Sequence, residues 1–106
     1  MKVLKSFRRL AAASAVALAI GGAAHADEVN IGFTGPLSGG AALYGENTLE
    51  GLRMAAEEIN AAGGITVDGE EYTINIQALD DKYSPSQAAV NGKRLVQQYN
   101  APVIFT

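Results

Sequence analysis

The stretch GFTGPLSGGAALYGENTLEGLRMAAEEINAAGG, from Gly32 to Gly64, contains the information that decides the fold. It predicts a strand, a glycine-rich loop and an amphipathic helix that ends at two glycines. A loop in this position lies at the carboxyl end of its strand, where open α/β sheets bind small molecules. The stretch therefore predicts one wall of a ligand cleft.

The elements within this stretch are predicted from local chemistry. Val29–Thr34 is a short apolar strand typical of a parallel sheet covered on both faces. Residues 35–46 are predicted as loop, Asn47 as the helix cap, and Gly63-Gly64 as the helix end, because glycine adopts the left-handed conformation at little cost. The predicted buried face carries Leu49, Leu52, Ala56 and Ile59. The predicted outward face carries Glu50, Arg53, Glu57 and Asn60.

A second strand follows a tight turn. Val67–Glu70 has Asp-Gly at its centre, which is typical of a hairpin turn. Tyr72–Leu79 then alternates apolar and polar residues, so this strand is predicted at or near the sheet edge. Asp80-Asp81 ends the strand. These two residues are predicted to hold the loop that follows by local hydrogen bonds.

A second helix is predicted to begin after Ser84, with Pro85 at its first position. Its predicted buried stripe comprises Ala88, Gly92, Leu95, Val96 and Tyr99. The place of Gly92 on that stripe predicts a close approach of helix to sheet. A last strand, Val103–Thr106, completes a β-α-β-α-β pattern, which predicts an α/β fold with a parallel sheet.

The first 26 residues have the features of a signal peptide. A basic segment precedes an apolar run of 15 residues, Leu10–Ala24, which is shorter than the roughly 17–25 residues of a membrane span. Ala24-His25-Ala26 matches a cleavage site, so the mature chain is predicted to begin at Asp27; a membrane anchor is the alternative. The chain has no cysteine for a disulfide or a lipid tether, so the predicted location is the periplasm, with secretion as the alternative.

Several function classes lack support in the residues. Without residues 1–26 the chain has four basic and eleven acidic residues, a net charge of −7, so nucleic acid is not a predicted partner. The loop has neither G-x-G-x-x-G nor Gly-Lys-Ser/Thr, which argues against a nucleotide phosphate site. The only histidine is His25, and no third ligand accompanies Asp80-Asp81. We therefore predict no catalytic residue, no metal site and no cofactor.

The loop residues instead favour a small polar solute. Ser38 offers a hydroxyl, Gly39 lets a ligand approach the backbone, and Tyr44 offers a ring with a polar tip. Each has a structural alternative: turn chemistry for Ser38 and Gly39, and helix-entry packing for Tyr44.

Most of the chain after the leader resembles a known family. The segments that carry the resemblance are IGFTGPLSGGAALYGENTLEGLRMAAEEINAAGGI, INIQALDDKYSPSQAAVNGKRLVQ and PVIF. They resemble the periplasmic leucine/isoleucine/valine-binding proteins, the substrate-binding subunits of branched-chain amino acid ABC transporters. The combination of Tyr44-Gly45 with Ile59-Asn60-x-x-Gly63-Gly64 is its most specific part. The resemblance implies a type I periplasmic-binding fold, in which two lobes close on the ligand by hinge motion.

The resemblance also implies roles and partners. Tyr44 resembles the first-lobe tyrosine that faces the ligand, and Ser38 and Gly39 belong to the same loop. Residues 27–106 are then part of the amino-terminal lobe, and the main ligand clamps lie beyond Thr106. The implied partners are an amino acid or related solute and an inner-membrane ABC permease, with the binding protein acting as a monomer. A sensory module of the same fold, a binder of amides, urea-like solutes or aromatic acids, and an exported enzyme remain alternatives.

Overall fold

The computed structural model describes residues 26–106, which form a four-stranded sheet and two helices. The elements in chain order are β1 (Asp27–Gly35), α1 (Ala42–Ala61), β2 (Ile65–Val67), β3 (Glu70–Asp80), α2 (Pro85–Gln97) and β4 (Ile104–Phe105). The predicted signal peptide lies outside the described residues apart from Ala26. Neither α1 nor α2 combines the length and apolar character that a membrane crossing requires.

The sheet has the order β2-β3-β1-β4. β1 pairs in parallel with β3 and β4, which confirms the predicted parallel arrangement of the three main strands. β2 was not predicted; it forms an antiparallel hairpin with β3 and makes the sheet mixed. The hairpin turn has Asp68 at φ 51° and Gly69 at φ 81°, which confirms the predicted Asp-Gly turn.

The three main strands differ from prediction in length. β1 and β3 are longer than the predicted Val29–Thr34 and Tyr72–Leu79, because their parallel pairing continues from Asp27 to Gly35 of β1. β4 is shorter than the predicted Val103–Thr106. The carbonyl of Val103 nevertheless accepts a hydrogen bond of 2.9 Å from the Gly32 amide, so the chain meets β1 just before β4 begins.

The two helices cover opposite faces of the sheet. Ile31 shares a cavity with residues of α1, whereas its neighbour Gly32 lies against Leu95 of α2; successive strand residues point to opposite faces. A Cβ at Gly32 would lie 3.1 Å from Leu95 Cδ1, while one at Gly92 would meet nothing within 4 Å. The predicted role of Gly92 is therefore wrong, and the glycine that allows close packing is in the sheet.

Helix α1 begins six residues earlier than predicted. It starts at Ala42, and Ala41 at its N-cap makes no side-chain cap, so Asn47 is not the cap and the loop is only Pro36–Ala41. Alanine and leucine are strong helix formers, and they start the helix ahead of the asparagine. Gly45 is buried against the loop, and a Cβ there would overlap the carbonyl oxygen of Pro36.

The carboxyl end of α1 confirms the predicted glycine cap. Gly63 has φ 109°, and the amide of Gly64 donates to the carbonyl of Ile59 at 2.9 Å. This pattern is the Schellman motif. Ile59 is itself only partly covered, with 36% of its surface exposed.

The prediction that Asn60 lies on the outward face of α1 is wrong. Its side-chain amide faces β3, where Oδ1 accepts from the Ile74 amide and Nδ2 donates to the Ile74 carbonyl, both at 2.8 Å. The pairing of β2 with β3 ends at Ile65 and Tyr72. Asn60 therefore continues the hydrogen-bond ladder at the point where β2 leaves it.

We expect Asn60→Ala to destabilise the full-length protein by about 1–3 kcal/mol, because it leaves two part-buried backbone groups of Ile74 without partners. The matched control is Asn47→Ala on the exposed face of the same helix, which we expect to be neutral or slightly stabilising. Urea denaturation would measure both. Equal effects of the two substitutions would contradict the role of Asn60.

The start of α2 confirms prediction. Ser84 is the N-cap, its hydroxyl accepts from the Gln87 amide at 3.4 Å, and Pro85 occupies the first position.

The buried stripe of α2 differs from prediction at two positions. Leu95 is fully buried, but Val96 is 53% exposed, so its predicted place on the stripe is wrong. Asn91, which was not predicted, is 2% exposed. Asn91 and Leu95 are four residues apart and share one helix face, whereas the next residue is rotated away from it.

Candidate functional site

The loop after β1 and the end of β3 meet at one edge of the sheet through Asp80. Its Oδ1 accepts from the amides of Leu37 at 2.9 Å and Lys82 at 2.8 Å. Its Oδ2 accepts from the hydroxyl of Ser38 at 2.5 Å. One carboxylate thus holds the predicted ligand loop and also the loop that follows β3. We refer to these three hydrogen bonds as the Asp80 clamp.

The clamp lowers the pKa of Asp80. The hydrogen bond from Ser38 is the largest cause, and the amides of Leu37 and Lys82 add to it; together they lower the pKa of Asp80 below its ordinary 3.8. Because the folded pKa lies below the unfolded one, the clamp stabilises the fold fully above pH 3.8, and this contribution disappears as the pH falls through the lowered value. At neutral pH the carboxylate is therefore charged.

A buried polar cluster lies next to the clamp and is bonded to the backbone of Asp80. Asp81 is buried, and it accepts from the Tyr83 amide at 2.9 Å and from the Thr34 hydroxyl at 3.2 Å. The amide of Asn91 donates to Thr34 Oγ1 at 3.1 Å and to the Asp80 carbonyl at 3.0 Å. The cluster joins β1, β3 and α2, so the base of the site is tied to three elements.

The two aspartates carry out the predicted local role and a further one. Each accepts from the amide two residues later, which confirms that they hold the loop after β3. Sequence reasoning missed that Asp80 also holds Leu37 and Ser38, which precede it by more than 40 residues. The available signal was topological, since the carboxyl ends of neighbouring parallel strands lie at one edge.

The three predicted ligand residues are all exposed, in the loop after β1 or in the first turn of α1. Ser38 is exposed and belongs to the clamp. Gly39 has φ 74°, and a Cβ there would meet nothing within 4 Å. Tyr44 lies in the first turn of α1 with 79% of its surface exposed, so helix-entry packing does not explain it.

A cavity of about 450 Å³ opens at the same edge on the α2 side, lined in part by Pro36, Asp81 and Tyr83. Its size is within the usual range of small-molecule sites. None of the three predicted ligand residues lines it; Pro36, the first residue of the same loop, does. Tyr83 was missed by sequence reasoning: it is 78% exposed, and the Asp81 side chain holds its backbone at φ 60°.

The chemistry of the edge suits polar recognition. It combines the charged carboxylate of Asp80, the Ser38 hydroxyl, the accessible backbone of Gly39 and the exposed rings of Tyr44 and Tyr83. Within residues 26–106, no group of three or more histidine, aspartate or glutamate side chains is arranged to hold a metal ion.

Comparison with known proteins places these features in a family. A family model described as periplasmic binding protein matches residues 28–106. An amino acid binding protein of Pseudomonas aeruginosa is 43% identical over 98 residues, which cover 92% of this chain and 25% of that protein. The leucine-specific-binding protein of Salmonella typhimurium is 37% identical over 87 residues, which cover 79% of this chain and 22% of that protein.

Two solved structures share the fold. The branched-chain amino acid transporter substrate binding protein LivJ of Streptococcus pneumoniae, in complex with isoleucine, matches with a TM-score of 0.64 and 36% identity over 74% of this chain and 21% of that one. A possible leucine/isoleucine/valine-binding protein of Rhodopirellula baltica matches with a TM-score of 0.65 and 30% identity over 74% and 20%. The chain spans a quarter or less of the length of these relatives.

Proposed function

Because the chain belongs to the periplasmic binding protein family, we propose that it forms part of a solute-binding protein that captures branched-chain amino acids for an ABC transporter. The observation that carries the proposal is the family match over residues 28–106. The relatives support the ligand class: one is named for leucine, and the streptococcal structure holds isoleucine. The protein is proposed to bind its ligand without chemical change and without a cofactor.

The proposal includes the place of this chain in the whole protein. Residues 27–106 would be the first part of the amino-terminal lobe, and a second lobe would supply the facing wall. An apolar groove between α1 and β4 supports this view, since Ile59, Val103 and Phe105 line it and are between 36% and 48% exposed. Exposed apolar surface of this kind is usually covered by another part of a protein or by a partner.

The proposal also includes export and assembly. Residues 1–26 would be removed after Ala26, and the mature protein would act as a monomer that delivers its ligand to an inner-membrane permease. The apolar run in the leader and its small-residue cleavage motif support export. A transmembrane segment further along the open reading frame would instead favour a sensory module.

Within the site, Tyr44 is proposed to contact the ligand, with Ser38 and Gly39 beside it. The exposure of Tyr44 and the open space above Gly39 support this assignment. An exposed aromatic ring at the mouth of a cleft gains contact area when a ligand and a second lobe cover it.

The test is calorimetric titration of the full-length mature protein with leucine, isoleucine, valine, phenylalanine, acetamide and urea. We expect saturable binding of at least one branched-chain amino acid, and a loss of about tenfold or more in affinity for Tyr44→Ala. Met54→Ala, exposed on the same helix, is the control and should bind normally. Binding of only amides, urea or aromatic acids would overturn the proposed ligand class, and turnover of a bound solute would overturn the non-enzymatic function.

A further inference from the structure

We infer that Asp80 is the positioning residue of the ligand loop: it fixes Pro36–Ala41 against β3 and turns the hydrogen of the Ser38 hydroxyl away from the ligand. Ser38 then presents only lone pairs to the cleft and recognises a hydrogen-bond donor such as an amino group. This inference rests on the proposed function and assigns a role within the same site.

The first step of the argument is the rigidity of the clamp. Both carboxylate oxygens of Asp80 are engaged: Oδ1 accepts from the amides of Leu37 and Lys82, and Oδ2 accepts from the Ser38 hydroxyl. The backbone of Asp80 is fixed as well, because it pairs with Gly35 in the sheet and its carbonyl accepts from Asn91. The clamp therefore fixes the loop relative to the sheet.

The tip of the loop makes few other contacts that would hold it in place. Gly39 and Gly40 are exposed, and a Cβ at either position would meet nothing within 4 Å. The Ala42 amide bonds to the Gly39 carbonyl at 3.3 Å, a long hydrogen bond within the turn. The Asp80 side chain is thus the main attachment of Leu37 and Ser38 to the sheet.

The second step concerns the direction of the Ser38 hydroxyl. An ionised carboxylate only accepts hydrogen bonds, and a serine hydroxyl has a single hydrogen to donate. The 2.5 Å contact with Asp80 Oδ2 therefore uses that hydrogen. Ser38 is exposed, and its remaining lone pairs can only accept from a ligand. An ammonium or amide N–H fits this arrangement, whereas a ligand carboxylate is repelled.

The substitution Asp80→Asn tests the direction of the Ser38 hydroxyl without removing the attachment of the loop. The amide oxygen of asparagine can still accept from Leu37 and Lys82, but its NH₂ group would face Ser38. Ser38 would then accept from the side chain and turn its own hydrogen outward. Asp80→Ala removes the attachment altogether. Asp68→Asn in the exposed hairpin turn is the matched control, because it makes the same charge change at a left-handed position that asparagine tolerates.

The ligand experiment compares isoleucine with its deaminated analogue, 3-methylpentanoate, on the full-length protein by calorimetry. Wild type and Asp68→Asn should prefer isoleucine, and Asp80→Asn should reduce that preference by about tenfold. In a Ser38→Ala background, Asp80→Asn should change the preference little. If Asp80→Asn weakens both ligands equally, or leaves the preference unchanged, the directional role is overturned.

A ligand-independent measurement keeps the inference separate from the proposed function. In amide hydrogen exchange, the Leu37 amide should be protected in wild type and in Asp80→Asn, and should exchange about tenfold or more faster in Asp80→Ala. Unchanged Leu37 protection in Asp80→Ala would overturn the clamp. If wild type binds no amino acid but Leu37 exchange follows this order, the proposed function fails and the positioning of the loop stands.

Discussion

Replacing Gly45 by alanine should destabilise the full-length protein by about 1–3 kcal/mol, the usual cost of overpacking, although alanine is the better helix former. The cause is the buried contact between α1 and the ligand loop. A Cβ at this position would overlap the backbone carbonyl oxygen of Pro36. A backbone atom cannot rotate away as a flexible side chain can, so either the helix start or the loop must move.

The same displacement should weaken ligand binding by about tenfold, equivalent to about 1.4 kcal/mol. Pro36 directly precedes Leu37 and Ser38, which the Asp80 clamp holds. A shift of the Pro36 carbonyl therefore strains the clamp and moves the residues proposed to meet the ligand. Isothermal titration and urea denaturation would measure the two effects.

Gly51 provides a matched control on the same helix. A Cβ there would meet nothing within 4 Å, so Gly51→Ala should stabilise the protein by about 0.5–1 kcal/mol through helix propensity alone. The two glycine substitutions should thus have opposite signs. If Gly45→Ala also stabilises the protein and preserves affinity, the close approach of the loop to α1 is not a requirement of the site.

The features that could be predicted from sequence are those determined within a few residues. The glycine cap of α1, the Asp68-Gly69 turn and the Ser84-Pro85 helix start each depend on local backbone preference or a local hydrogen bond. The order of the three main strands and the two helices follows from similar local signals, although β2 was not predicted. These features form independently of distant partners.

The features that were missed depend on partners far along the chain. Helical periodicity predicts Asn60 on the outward face, but its side chain bonds to Ile74, and Asn91 bonds to Thr34, 57 residues away. Both side chains satisfy backbone or hydroxyl groups that the fold buries, which a helical wheel cannot reveal. The early start of α1 is a different case, because the helix formers Ala42 and Leu43 start the helix ahead of Asn47.

The same distinction between local and distant contacts applies to the site. Ser38, Gly39 and Tyr44 were identified as candidates from residue type and resemblance, and their exposure is compatible with that role. The part of the Asp80 clamp that holds Leu37 and Ser38 was not foreseen, because these donors precede Asp80 by 43 and 42 residues. Residue type thus indicates what can contact a ligand, whereas topology determines what holds those residues in place.

Leu95→Ala should destabilise the protein by about 2–5 kcal/mol, the range for large-to-small substitutions in a core. Leu95 is fully buried between α2 and β1. We expect the upper half of the range because the residue that faces it, Gly32, has no side chain with which to fill the cavity. Val96→Ala is the control: at 53% exposed it should change stability by less than about 0.5 kcal/mol.

A double-mutant cycle with Gly32→Ala makes the packing argument specific. In wild type, a Cβ at Gly32 would lie 3.1 Å and 3.3 Å from the two Leu95 Cδ atoms and 3.2 Å from Ile104 Cγ1, so Gly32→Ala alone should destabilise. After Leu95→Ala two of these three close contacts disappear, and the same substitution should cost less or become favourable, with a coupling of about 0.5–3 kcal/mol.

Native-state hydrogen exchange of the Gly32 amide would report this cycle locally, because that amide donates to Val103 and joins β1 to the segment entering β4. Leu95→Ala should speed its exchange, and Gly32→Ala in that background should slow it again, measured at the backbone amide of the substituted position. Additive effects of the two substitutions would mean that residues 32 and 95 do not share one packing site. The stability of the third parallel strand would then depend on contacts other than the glycine that lets α2 approach the sheet.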